Sequence, residues 1–279
     1  MIEGMSLVTI PLIVAAGAVA GCLGALLGIG GGVFLIPFLN VGLGIDLPIA
    51  SGISLMTVMA TSSIVAAGPS NQDVINLRLG ILLQIPAVAG GLLGAEAVSA
   101  LSQRTLSMIF AIVTGVIAVV MVRRLDRRNV ILDASIRPGR FGGSYFEEES
   151  GRHVVYRLRR MPTALGISFS GGVLSGLLGI GGGILQVPAL NAWCGVPMRA
   201  AAATTAAMIG VTALGSAPIY YSRGRIVAPL AAAAILGVLA GSRVGMWLSP
   251  RTRARWLKLL MALVLALVSI TYIHKAATL

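Results

Sequence analysis

Residues 21–40 read GCLGALLGIGGGVFLIPFLN, and residues 172–191 read GVLSGLLGIGGGILQVPALN. Aligned without gaps, Gly28-Ile29-Gly30-Gly31-Gly32 falls on Gly179-Ile180-Gly181-Gly182-Gly183, Pro37 on Pro188 and Asn40 on Asn191. A second echo sets Leu101-Ser102-Gln103-Arg104-Thr105 against Leu248-Ser249-Pro250-Arg251-Thr252. Both echoes recur in the same order, so the chain reads as a duplicated unit. A glycine cluster that interrupts an apolar stretch at matching points of two halves is the sequence mark of a transporter's binding region.

The composition around these clusters sets the class. Of 279 residues, 57% are hydrophobic and 11% are charged, and the mean hydropathy is +0.94. A soluble domain carries about 25% charged residues, so the chain reads as an all-α, polytopic membrane protein. The net charge of +12 does not argue for nucleic acid, because the bases sit in one central segment and at the ends of apolar runs, where they orient helices in a bilayer. Val19-Ala20-Gly21-Cys22 looks like a lipoprotein cleavage box, but the preceding stretch has Glu3 and no Lys or Arg. A secretory signal starts with bases, so this stretch reads as a retained membrane helix. Cys22 falls opposite Val173 and Cys194 opposite Leu43; unmatched, they read as small hydrophobes rather than a disulfide or metal pair.

Apolar runs fall near 5–28, 33–44, 48–68, 78–100 and 104–123, and again near 163–180, 184–195, 199–221, 226–248 and 253–274. Most approach the ~20 residues that span hydrocarbon as a helix. The second run of each half is too short and starts directly after the glycines, which predicts a half-helix or re-entrant segment lining protein or a wet cavity. The expected organisation is a first transmembrane repeat over 1–123, a basic cytoplasmic loop over 124–162 and a second repeat over 163–279. The loop reads as a solvated linker. Alternation over His153–Arg159, preceded by Ser150-Gly151, leaves open a small hairpin with Ser144–Glu147.

If all five segments of each half cross, the repeats are inverted. Arg78, Arg199, Arg251, Arg253, Arg255 and Lys258 then join the loop inside, against Arg104, Arg223, Arg225 and Lys275 outside. If the short segments double back, the repeats are parallel and Arg78, Arg223, Arg225 and Lys275 lie inside. The positive-inside rule tilts the balance towards inverted repeats.

Consecutive glycines break a helix, and the segments that follow, beginning at Val33 and Ile184, then present free N–H groups and a positive dipole end to the break. Such an end binds anions without a charged side chain. The bland alternative is that the glycines only allow close helix packing. A nucleotide-binding P-loop is excluded, since it needs Lys and Ser/Thr after the glycines. Ser51, Ser54, Thr57 and Thr61 share a helical face, answered in the second half by Thr204, Thr205 and Thr212. These hydroxyls are candidates for oxyanion contact or for helix–helix bonding. Asn40 and Asn191 are caps or ligands, and Gln186, opposite Leu35, is a candidate for asymmetric substrate contact. The candidate set is therefore Gly30, Gly31, Gly32, Val33, Asn40, Ser51, Ser54, Thr57, Gly181, Gly182, Gly183, Ile184, Gln186, Asn191, Thr204 and Thr205. Glu96 is the one acid within a long apolar stretch, and in the register of the second echo it aligns with Arg243. That pair is expected to be a structural ion pair or, through Glu96, a proton-coupling site.

The paired Gly-Ile-Gly-Gly-Gly stretches followed by Pro37 and Pro188 resemble the sulfite exporter TauE/SafE family of membrane transporters. So do the Ala/Ser/Thr-rich helices after them, and Gly94-Ala95-Glu96 and Gly241-Ser242-Arg243 near later helix ends. The resemblance covers both halves and leaves out the central loop. It implies export of a small sulfur-containing anion, such as sulfite, thiosulfate or a sulfonate like sulfoacetate, across the cytoplasmic (inner) membrane. A channel-like uniporter, an importer of another anion, and a non-transporting scaffold or sensor are the alternatives. No catalytic set, metal cluster or cofactor motif is evident, so the chain does not read as an enzyme. The expected partners are a small anion and the lipid bilayer, with no nucleic acid, and the chain is a candidate homodimer.

Overall fold

The computed structural model of the protein describes residues 9–68, 73–123, 139–147, 151–248 and 254–278. The first half holds α1 (Thr9–Leu27), α2 (Gly32–Pro37, continued by a π turn over Phe38–Gly42), α3 (Leu47–Ala67), α4 (Leu77–Ala97) and α5 (Gln103–Arg123). A hairpin, β1 (Gly143–Glu147) and β2 (Arg152–Tyr156), separates it from α6 (Met161–Leu178), α7 (Gly183–Trp193), α8 (Met198–Ser222), α9 (Ala228–Leu248) and α10 (Ala254–Thr278). Among the described residues, eight helices are long and apolar enough to cross a membrane, and α2 and α7 are the short exceptions. The protein is an all-α, multi-pass integral membrane protein. Pro37 and Pro188 both lie inside the short helices. After Pro37 the coil widens into the π turn, as expected where a proline supplies no N–H to the ladder.

Small residues decide which helices touch. On α1, Gly17 and Gly21 abut Ala234 and Val238 of α9, while Gly241 and Gly245 of α9 abut Ala18 and Cys22. Numbers rise together, so α1 and α9 run the same way. On the other side, Gly90 and Gly94 of α4 meet Phe169 and Val173 of α6, while Gly172 and Gly176 of α6 meet Ala87 and Gly91. In lipid there is no hydrophobic drive between helices, and close backbone approach at small residues supplies the attraction instead. Gly80 lies beside Thr204 and Met208, and Gly91 beside Thr212 and Ser216, so α4 runs with α8. A short connection turns α8 back into α9. Hence α1 and α9 run opposite to α4 and α6. Helices α5 and α10 are also antiparallel: Phe110 stacks on Tyr272 at 4.5 Å, and Gly115 faces Ser269.

These contacts correct one alignment. Gly21 meets Val238 as Gly172 meets Ala87, and Gly245 meets Cys22 as Gly94 meets Val173. The glycine-motif offset therefore continues through α4 and α9, so Glu96 corresponds to Trp247 and Arg243 to Leu92. The shorter offset suggested by the second echo comes from a motif that partly falls on residues 249–253, outside the described residues.

The central segment is more than a solvated linker. In the hairpin Tyr145 pairs with Val154 and Gly143 with Tyr156, and Tyr145, Val154 and Tyr156 are buried in the same apolar cluster as the helices. Phe146 and His153 occupy the outer face, edge to face at 5.4 Å. Asn76 locks the hairpin to α4. Its Oδ1 accepts from Leu79 N at 3.0 Å, capping the helix, while Nδ2 donates to Phe141 O, Gly142 O and the Tyr156 hydroxyl, each at 3.1 Å. Burial pushes the Tyr156 phenol above its ordinary range, and the Asn76 bond offsets part of that rise. Asn76→Ala is expected to cost about 1–2 kcal/mol from the cap and to expose the hairpin to limited proteolysis. A cleavage rate unchanged from wild type would show that Asn76 does not anchor it.

Candidate functional site

The two glycine breaks have the same backbone. Gly28, Gly30 and Gly31 have φ of 72°, 82° and 74°, and Gly179, Gly181 and Gly182 have 71°, 79° and 73°. This left-handed region is costly for any residue with a Cβ, which is why the sequence supplies glycine at these points. The turn folds the chain back on the helix just ended. Gly31 packs on the Ala20 carbonyl and Gly182 on the Gly171 carbonyl.

The breaks meet at the centre of the protein. A Cβ on Gly183 would lie 2.7 Å from Gly28 O and 2.8 Å from Ile29 Cα. One on Gly32 would lie 3.1 Å from Gly179 O and 3.2 Å from Ile180 Cα. Val58 of α3 and Ile209 of α8 pack against both Gly30 and Gly181. These two occupy matched positions and line the junction, yet as ordinary buried aliphatics they carry no sequence signal. Helices α2 and α7 begin at Gly32 and Gly183, so the N–H groups of Gly32, Val33, Gly183 and Ile184 lack intrahelical acceptors. Val33 and Ile184 are fully buried there.

The polar candidates divide into those already occupied and those still open. Ser51 Oγ donates to Leu178 O at 2.9 Å and Ser54 Oγ to Gly179 O at 2.7 Å, so these hydroxyls tie α3 to the end of α6. Tyr220, which carries no motif in the sequence, donates to Gly176 O at 2.8 Å. Together they cover the negative carbonyl end of α6 with hydroxyl protons. Thr57 and Thr61 bond back to Ser54 O and Thr57 O on their own helix. Thr204 Oγ1 accepts from Asn76 N at 2.9 Å. Asn40 and Asn191 close equivalent turns, donating to Ile45 O at 2.7 Å and Val196 O at 2.9 Å, and Asn40 Oδ1 also accepts from Lys275 Nζ at 2.7 Å. They are caps.

Thr205 is different. Its Oγ1 is buried with no hydrogen-bond partner, although its first-half counterpart is the engaged Ser54. Gln186 is held in place through Ser168. Ser168 spends its one proton on Leu83 O at 2.6 Å, so it must accept from Gln186 Nε2 at 3.2 Å. Gln186 Oε1 is buried with no hydrogen-bond partner, and the second Nε2 proton remains available as a donor.

Glu96 does not pair with Arg243. Its carboxylate binds Arg223, whose Nη1 also donates to Ala95 O at 3.1 Å. Glu96 and Arg243 are both exposed. Among the described residues no Asp or Glu is buried, so the carboxylate expected within the helix bundle stands instead at a helix end.

The sulfite exporter TauE/SafE family profile matches residues 13–272, from the first helix to the last. The chain belongs to the TauE/SafE family. Among curated relatives, it is 23% identical to the probable membrane transporter protein YunE of Bacillus subtilis over 95% of this chain and 97% of that one. It is 23% identical to a probable membrane transporter protein of Methanocaldococcus jannaschii over 95% of each chain. A third, from Haemophilus influenzae, is 29% identical over 78% of this chain and 75% of its own length. No solved structure matches. The TauE/SafE match runs across both glycine breaks and the helices that enclose them, so a membrane transporter family is where this geometry belongs.

Proposed function

We propose that this TauE/SafE protein is a secondary transporter that exports a small sulfur-containing anion across the cytoplasmic membrane, with the hairpin and residues 124–162 on the cytoplasmic side. The opposite courses of α1 and α6 support two inverted halves, with the glycine breaks as the point where they meet. The single observation that carries the reading is that contact of the two breaks, each opening a helix whose first N–H groups lack intrahelical acceptors. Those amides favour negative charge, and Thr205 adds a hydroxyl. An inside-negative potential contributes ~2.3 kcal/mol per charge per 100 mV to outward anion movement, so export needs no coupling ion.

Proteoliposomes loaded with sulfite, thiosulfate, sulfate or a short organosulfonate test this under an imposed potential. Flux should be electrogenic for at least one of them; no flux for any would end the reading. Thr205→Val separates ligand from scaffold. Removing a hydroxyl with no partner should leave thermal stability unchanged or higher, while KM rises by up to about tenfold. Ser54→Ala should instead cost about 1 kcal/mol of stability, because Gly179 O loses its donor. An unchanged KM in Thr205→Val removes Thr205 from the site.

A further inference from the structure

The end of the bundle away from the hairpin carries an unmatched cation. Asn76 caps α4 at the hairpin, and the α4 helix of 21 residues rises ~30 Å, which puts Glu96 and Ser99 at the far face. Two arginines of the short α8–α9 connection reach that end. Arg223 is neutralised by Glu96. Arg225 is not: its Nη2 donates to Ser99 Oγ at 2.9 Å, its guanidinium lies 5.8 Å from the Tyr220 ring centroid, and its Nη1 is buried with no hydrogen-bond partner. Among the described residues no carboxylate pairs with it. Burying a charged donor without an acceptor is costly, so the atom is built to be met by something anionic.

The surroundings extend the case. Ser99 accepts from Arg225, so its own proton is free to be donated to the same guest. Tyr220, beneath the guanidinium, holds the carbonyls at the end of α6, and the Arg225 backbone packs on Gly52, next to Ser51, which bonds Leu178 just before the second break. The matching position in the first half is Val74, so the cation exists at one face alone. We propose that Arg225 and Ser99 form a rim site for a small oxyanion, where the anion rests between the second glycine break and the face opposite the hairpin. This rests on the transport reading above. A guanidinium fork and a hydroxyl suit a trigonal or tetrahedral oxyanion better than a spherical halide.

The test is side-resolved flux of sulfite and thiosulfate in oriented proteoliposomes, with wild type, Arg225→Gln, Arg225→Lys and, as an exposed cation at the same end but outside the site, Arg104→Gln. Arg225→Gln should raise KM roughly tenfold or more for anion presented at the face opposite the hairpin, with kcat within about twofold and the salt dependence of kcat/KM reduced. Arg225→Lys should restore part of that affinity, and Arg104→Gln should change nothing. Sulfite should also raise the melting temperature of wild type more than that of Arg225→Gln. A KM at the face opposite the hairpin that is unchanged from wild type in Arg225→Gln overturns the site, and a loss of kcat with that KM unchanged marks a structural role. A wild type that moves no anion fails the transport reading instead, and the sulfite-dependent thermal shift then decides the rim site by itself.

Discussion

Gly172→Val and Gly241→Val are expected to leave almost no folded protein, the largest loss that any single substitution outside the breaks should cause. A Cβ on Gly172 would run into the Ala87 carbonyl and one on Gly241 into the Ala18 carbonyl. Neither obstacle is a side chain that can rotate away; each is the backbone of a neighbouring helix. Separating the seam forfeits the dispersion contacts that hold helices together where lipid offers no hydrophobic drive. The cost should exceed the ~1–3 kcal/mol of ordinary overpacking. Gly166→Val is the control, since a Cβ there meets nothing within 4 Å although it lies on the same helix as Gly172. Size-exclusion profiles in detergent should show a single peak for Gly166→Val and aggregate for the other two. A folded Gly241→Val protein would mean that the α1–α9 seam is looser than its glycines indicate.

The doubled glycine motif was enough to place the helices, because a run of αL-prone residues between apolar stretches ends one helix and opens the next. The short segments, the ten helical stretches and the breaks between them follow from that and from hydrocarbon thickness. What the sequence could not show was which atoms remain open. Ser51 and Ser54 look like anion donors on a helical wheel, yet their protons go to α6 carbonyls that only folding brings near. Of the hydroxyls singled out in the sequence, the one with no partner belongs to Thr205, on the matching face of the other half. The partner of Glu96 is illegible in the sequence for a related reason. A local echo suggested a partner in Arg243, but the helix seams hold a different register and place Arg223 beside it. Val58 and Ile209 were invisible because aliphatic residues in apolar helices have no pattern to set them apart. The hairpin was half legible: its alternation could be seen, while the burial of Tyr145, Val154 and Tyr156 depends on helices far away in sequence.

Gly32→Ala and Gly183→Ala should cut flux by up to about a hundredfold while the protein stays folded. Neither glycine has a left-handed φ; each is the first residue of a helix, where alanine is no worse a former than glycine. The added methyl therefore strains no backbone of its own. It points across the junction instead. At Gly183 it would press on Gly28 O at 2.7 Å and Ile29 Cα at 2.8 Å, and at Gly32 on the Ser54 hydroxyl and on Gly179 O at 3.1 Å. Relief requires the two breaks to part by a few tenths of an ångström or more, and the amides of Gly32, Val33, Gly183 and Ile184 move with them. In a site assembled from many weak donors, misplacement approaching 1 Å costs about a hundredfold. Substitution at Gly31 or Gly182 is a poorer probe, because φ of 74° and 73° and contacts with the Ala20 and Gly171 carbonyls would damage folding as well as function. Both alanine variants should stay folded at a cost of about 1–3 kcal/mol of stability, with sulfite or thiosulfate flux down by up to about a hundredfold. Wild-type flux in both would show that the anion crosses the protein somewhere other than the junction of the two breaks.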